Sequence, residues 1–221
     1  VSRGIGVGVG VGLGGVGLSP AWLSAQAQAI FTGVVAGDYA PEDMVMSGAD
    51  VSSRPGRVGG TLTNAVAGRF AASTLNGRAA LLGVQGVVAR LSGTVSLGSV
   101  KTVLAVLKMP VYAPARYIIA ADVPADAGTI QNYTGSTTLY TAGGWTHGVN
   151  GVASETLPAE GTVALIRATN ASGASMAINI ASTAVASCWD APAGRYLFLT
   201  STITEAQELA WLAAVRRYYR F

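Results

Sequence analysis

Hydrophobic and polar positions divide the chain into three stretches with different periods. From Gly4 to Leu18, apolar residues at Ile5, Val7, Val9, Val11 and Leu13 alternate with Gly4, Gly6, Gly8, Gly10, Gly12 and Gly14. A period of two predicts an extended strand with all its side chains on one face and bare backbone on the other. From Ala21 to Ser201, short apolar runs are separated by Gly, Ser, Asn and Pro, and they predict strands at Ala79–Leu82, Gly86–Leu91, Lys101–Lys108, Arg116–Ala121, Ser136–Thr141, Gly161–Ala168, Ser175–Ile180 and Arg195–Leu199. Lys101–Lys108 has the uninterrupted apolar character of a central strand buried on both faces, and Gly194–Leu199 is its best counterpart. One short helix of a turn or two is expected around Pro20–Phe31. From Thr204 to Tyr219 the pattern becomes helical. Thr204 and Gln207 form a Thr-x-x-Gln capping box, while Glu205 and Glu208 suit the positive end of the helix and Arg216, Arg217 and Arg220 its negative end. Leu209, Leu212 and Ala213 are expected to make the apolar row, with Trp211, Val215 and Tyr218 beside it.

Strands at this spacing with no interleaved helices predict an antiparallel sandwich, with the last helix packed outside it. The expected division is an arm over 1–18 and a domain over 19–221 that includes the helix over 204–219. Each Gly in a strand is unfavourable by roughly 0.5–1 kcal/mol relative to Ala, so the arm is a poor strand by itself. It suits a place where another backbone approaches the Gly face, or where copies pack together; the bland alternative is an edge strand of the domain. The intermolecular alternative is preferred, because the arm offers no polar face to water.

Composition narrows the chemistry. Of 221 residues, 29 are Gly and only 11% are charged, so the surface must be built from Gly, Ser, Thr and Ala. The net charge of +3 does not call for nucleic acid. Cys188 alone excludes a disulfide framework, and His147 alone excludes a site with two imidazoles. No apolar run is long enough to span a membrane, and Val1-Ser2-Arg3 leads into Gly rather than a signal sequence, so the chain reads as soluble.

Several short segments, taken in order, resemble the laminin-G-like, concanavalin A-like jelly-roll domains of phage structural proteins and bacterial surface proteins. These are Arg54-Pro55, the run Leu75-Asn76-Gly77-Arg78-Ala79-Ala80-Leu81, the strand Thr102–Leu107, Gly148-Val149-Asn150-Gly151, and Gly194–Leu199 leading through Thr204-Glu205-Ala206-Gln207 to Tyr218-Tyr219. The resemblance covers about residues 54 to 221, and it implies a mainly β, antiparallel two-sheet jelly-roll. Leu82-Gly83-Val84-Gln85-Gly86 stands where the family has Phe-Asp-Gly, so no metal role attaches to that turn. The Gly-x-Gly arm is similar to arms of phage virion proteins. The implied role is a virion structural protein on a tail fibre, tail tip or head. It would be held by other virion proteins through Ile5, Val7, Gly8, Val9, Gly10, Val11 and Leu13, as a homo-oligomer with three copies favoured, and would adhere to a host-surface glycan. The alternative is a free carbohydrate-binding module or glycan-processing enzyme of the same fold.

Candidate chemistry is sparse. Tyr133, Tyr140 and Trp145, with His147, form the group best suited to stacking on a sugar, and the alternative is that these aromatics pack as cross-strand pairs. His147 lies in a loop-like Gly-rich stretch and is expected to be exposed or bonded to backbone. No Gly-x-Ser-x-Gly elbow and no Glu-x-Asp-x-x-Glu strand occurs, so no enzyme and no cofactor is expected. Asp38, Glu42 and Asp43 are expected to form a solvated acidic turn. Asp122 and Asp126 flank Pro124 and could reach calcium, but a plain turn is preferred and no metal is expected.

Overall fold

The computed structural model describes residues 18–64, 70–83, 91–111, 116–121, 130–132, 136–139, 144–180 and 189–221. The arm residues Ile5 to Leu13, the expected strand Gly86–Leu91 except its last residue, and Tyr133, Tyr140, Asp122 and Asp126 lie outside them. Among the described residues the protein is mainly β, with antiparallel pairing throughout and two α-helices.

Helix α1 (Pro20–Ile30) opens the described chain; Ser19 caps it by accepting from the Trp22 amide, and Pro20 stands where a missing N–H costs nothing. Strands β1 (Val35–Tyr39), β2 (Val45–Ser47), β3 (Asp50–Pro55) and β4 (Thr61–Asn64) follow, with a single 3-10 turn at Pro41–Asp43. Then come β5 (Phe70–Leu75) and β6 (Arg78–Gly83), joined by the two-residue turn Asn76-Gly77. Both turn residues have positive φ, 49° and 78°, the geometry that makes Asn-Gly the favoured tight hairpin. β7 (Leu91–Lys108) and β12 (Val163–Ile180) are 18 residues each and pair antiparallel along most of their length. Between them lie β8 (Arg116–Ala121), β9 (Ile130–Asn132), β10 (Thr146–Val149) and β11 (Val152–Ala153). β13 (Ala193–Leu199) and α2 (Glu205–Tyr219) close the chain.

The two runs singled out as central do pair: in the β7–β13 ladder Leu104 lies opposite Leu197 and Val103 opposite Phe198. Alternation then sends their side chains to two separate cores. Val103, Ala105 and Leu107 of β7, Ile166 and Ala168 of β12, and Tyr196 and Phe198 of β13 pack with Tyr39, Val51, Leu62, Phe70 and Leu81 from the other strands. Leu104, Val106, Leu165, Leu197 and Leu199 point the other way, onto Leu23, Ala27 and Phe31 of α1 and Trp211, Leu212, Val215, Tyr218 and Tyr219 of α2. Both faces are therefore covered, which is why these strands read as continuous apolar runs.

Pairing also closes a circuit: β13 meets β6, β6 meets β5, β5 meets β3, β3 meets β4, β4 meets β7, and β7 returns to β13. The strands expected separately at Gly161–Ala168 and Ser175–Ile180 are one strand. Residues 170–173 do not end it but form a bulge, where the register with β7 jumps between Thr169 and Ala174. Only Thr138 and Leu139 of the expected Ser136–Thr141 strand are seen in bridge geometry.

The capping box of α2 is present in full: Thr204 accepts from the Gln207 amide at 3.2 Å, and the Gln207 side chain accepts from the Thr204 amide at 3.0 Å. The buried stripe differs from the expected one. Leu209 and Ala213 are exposed, and the helix instead buries Glu208, Trp211, Leu212, Val215, Tyr218 and Tyr219. Glu208 faces the sheet 3.3 Å from Arg167, on the helix side of β12, and burial pushes its carboxyl pKa up against the opposing pull of the Arg167 charge. No helix among the described residues is long and apolar enough to cross a membrane.

Candidate functional site

The densest group of polar side chains lies where β1, β3 and β13 meet α1. Arg54 is fully enclosed: Nε donates to the carbonyl of Ala40 at 3.2 Å, and Nη2 to those of Tyr39 and of Gly194, the last at 3.0 Å, while Nη1 has no acceptor among the described residues. Its guanidinium lies 5.2 Å from the centre of the Tyr196 ring. Burial, which disfavours the charged form, pulls the Arg54 pKa down, while the neighbouring phenols and carboxylates oppose that pull. Asp38, also enclosed, accepts from both Nε and Nη2 of Arg195, the Nε bond being 2.6 Å. Arg195 and Arg57 each donate to the Ser24 hydroxyl of α1 at 2.6 Å. Arg57 further pairs with Asp43, and this hydrogen bond holds its pKa above the usual arginine value. Glu42 accepts from the Tyr218 hydroxyl of α2 at 2.6 Å.

The acidic turn expected to be solvated is therefore a tie. Each of its three carboxylates has a donor, two of them brought from the far end of the chain, Arg195 and Tyr218, and one from between β3 and β4, Arg57. Two enclosed charges held this way fix the placement of strands and helix. The carboxylates are spent on partners within the domain.

Trp145 and His147 sit on the first core, not on a sugar-facing surface; each is only 3% exposed. Thr146–Val149 is strand rather than loop, and the period of two carries Trp145, His147 and Val149 to the same inner face. This corrects the expectation of an exposed or backbone-bonded His147: neither ring nitrogen has a hydrogen-bond partner. Burial first, and the Arg167 charge second, pull its pKa down to about 4. The structure does not bring Trp145 and His147 to a surface where Tyr133 and Tyr140 could join them in contacting a sugar. Among the described residues no cluster of three or more His, Cys, Asp or Glu could hold a metal.

The segments that carry the family resemblance meet physically at α2. Asn76, at the tip of the β5–β6 hairpin, donates to the carbonyl of Arg220 at 3.2 Å, and Arg78 donates to that of Tyr218 while stacking on its ring at 4.4 Å. Asn150 accepts from the Leu165 amide at 3.0 Å. Gly194 is required by close approach, because a Cβ there would lie 2.9 Å from the Tyr219 ring and hydroxyl. Sequence reasoning missed the Arg54, Asp38–Arg195 and Arg167–Glu208 contacts. For Arg167 and Arg195 the one signal was an Arg in an otherwise apolar run, and for Arg54 there was none. No family model matches the chain, and neither a curated protein nor a solved structure does.

Proposed function

We propose that this chain is a structural component of a bacteriophage particle, a jelly-roll domain displayed on the virion and anchored by its Gly-rich arm. The observation that carries this is the contrast between the two parts of the chain. In the domain, the prominent carboxylates are committed to internal ties and the core strands are covered on both faces. The arm Gly4–Leu18 has five alternating apolar side chains and no polar face, so it calls for a partner. Leu18 packs against the helix-side core and Ser19 caps α1, so the residues that follow the arm are held at the helix layer. Two sheets that share the long β7, which pairs with both β4 and β13, would account for the closed pairing circuit, and the circuit supports the jelly-roll assignment. A glycan-adhesive role would fall to Tyr133 and Tyr140, since Trp145 and His147 are enclosed.

The test is to replace Gly8 and Gly10 together with Val in the full chain, and separately to delete residues 1–17. Both variants are expected to keep the circular dichroism of the parent and to lose arm-driven association and incorporation into particles. A deletion variant that unfolds, or that still enters particles at the parent level, would overturn the anchoring role.

A further inference from the structure

We propose that the outer face of α2 is a two-fold interface with a second copy of this chain. This lies beyond the arm-anchoring proposal and does not depend on it. The side of α2 turned away from the sheet exposes Glu205, Ala206, Leu209, Ala210, Ala213 and, at its end, Arg216 and Arg217. Small residues at its centre would let a second helix backbone approach closely. Leu209 is 46% exposed, and Val152, on the turn packed beside it, is 66% exposed. Between α1 and α2 lies a groove lined by Trp22, Gln26, Ala210, Ala213, Ala214 and Arg217.

Charge selects a second α2, running antiparallel, as the occupant. Glu205 and Arg216 stand eleven positions apart on the same edge of this face, about 16 Å along the helix. A two-fold axis passing at the level of Ala210 and Trp211 brings Glu205 opposite Arg216 of the second copy, and the reverse contact follows by symmetry. Leu209 lies on that same edge, between the acid and the base, and meets the matching edge of the other copy, while the groove and Arg217 lie on the opposite edge. Acid, base and the apolar residue between them thus belong to one self-complementary surface. Within the chain, among the described residues, Glu205, Arg216 and Arg217 form no ion pair; Arg216 and Arg217 rest against the rings of Phe221 and Trp22.

Sedimentation equilibrium on the full chain tests this over a concentration series. Glu205→Arg is expected to move the concentration at which the mass doubles about tenfold upward, whatever unit the arm builds, through like-charge opposition. Adding Arg216→Glu and Arg217→Glu to that variant is expected to restore the mass, which a merely structural effect of residue 205 would not do. In a Cys188→Ser background, Ala210→Cys is expected to form a disulfide-linked dimer on mild oxidation, while Thr61→Cys on exposed β4 is not. If all variants keep the parent circular dichroism but the mass is indifferent to Glu205→Arg, or the triple reversal fails to restore it, or Ala210→Cys does not cross-link, the interface is not the outer face of α2.

Discussion

Asp38 and Arg195 show how unevenly a buried ion pair responds to substitution. Both are about 1% exposed, so removing one leaves the other as an enclosed, unmatched charge. Asp38→Asn is expected to cost about 3–5 kcal/mol in urea unfolding, whereas replacing both with apolar residues of similar volume should cost much less. His147 gives a pH signature of known sign. Its pKa in the folded protein, about 4, lies below the ordinary 6.5, so the unfolded chain binds the proton first as pH falls. The stability that the neutral imidazole allows is complete above about pH 6.5 and drains away toward pH 4, by an amount on the order of 3 kcal/mol. His147→Leu should flatten that part of the stability–pH curve, and the difference between parent and variant isolates this group from the other titrating residues.

Among elements, α2 was the most legible because its ends are specified locally. Thr204 and Gln207 need only each other, and Thr204→Ala is expected to lower stability by about 1 kcal/mol, read from the urea midpoint. Its buried face was less legible. Hydropathy favours Leu209 over Glu208, and the partner of Glu208, Arg167 on β12, lies far from it in the sequence. Strands with long apolar runs, β7 and β13, were found from sequence for the same reason that they are central. By contrast β1 to β4 are short and interrupted by Gly, Asp, Arg and Pro, and their polar residues make sense only beside partners far along the chain. The bulge at 170–173 read as a turn, since Asn, Ser and Gly serve equally well in either. The tie at residues 38–43 was invisible for a further reason: an acidic cluster after a strand looks solvated until its distant donors are placed.

Across the whole molecule, the last segment of the chain closes the first. β13 lies between β1 and β7, and α2 covers the helix-side core formed by Leu104, Val106, Leu165, Leu197 and Leu199. A chain ending at residue 192 lacks both elements. It is expected to expose that apolar surface, bind a hydrophobic dye and unfold without a sharp transition, rather than behave as a trimmed native domain.

Arg54 gives this closure a direction in time. Its acceptors are the carbonyls of Tyr39 and Ala40, which are near it in the chain, and of Gly194, which is 140 residues away. Until Gly194 arrives that guanidinium has one acceptor fewer, and Asp38 waits for Arg195 as an unpaired carboxylate. During synthesis the growing polypeptide therefore holds its early strands uncommitted until translation is nearly finished. Ribosome-arrested chains that stop short of residue 193 should be cut readily by protease, and release of the full chain should bring resistance in a single step. A chain with such late closure is either complete or not folded at all, and partly built copies are expected to be left to degradation.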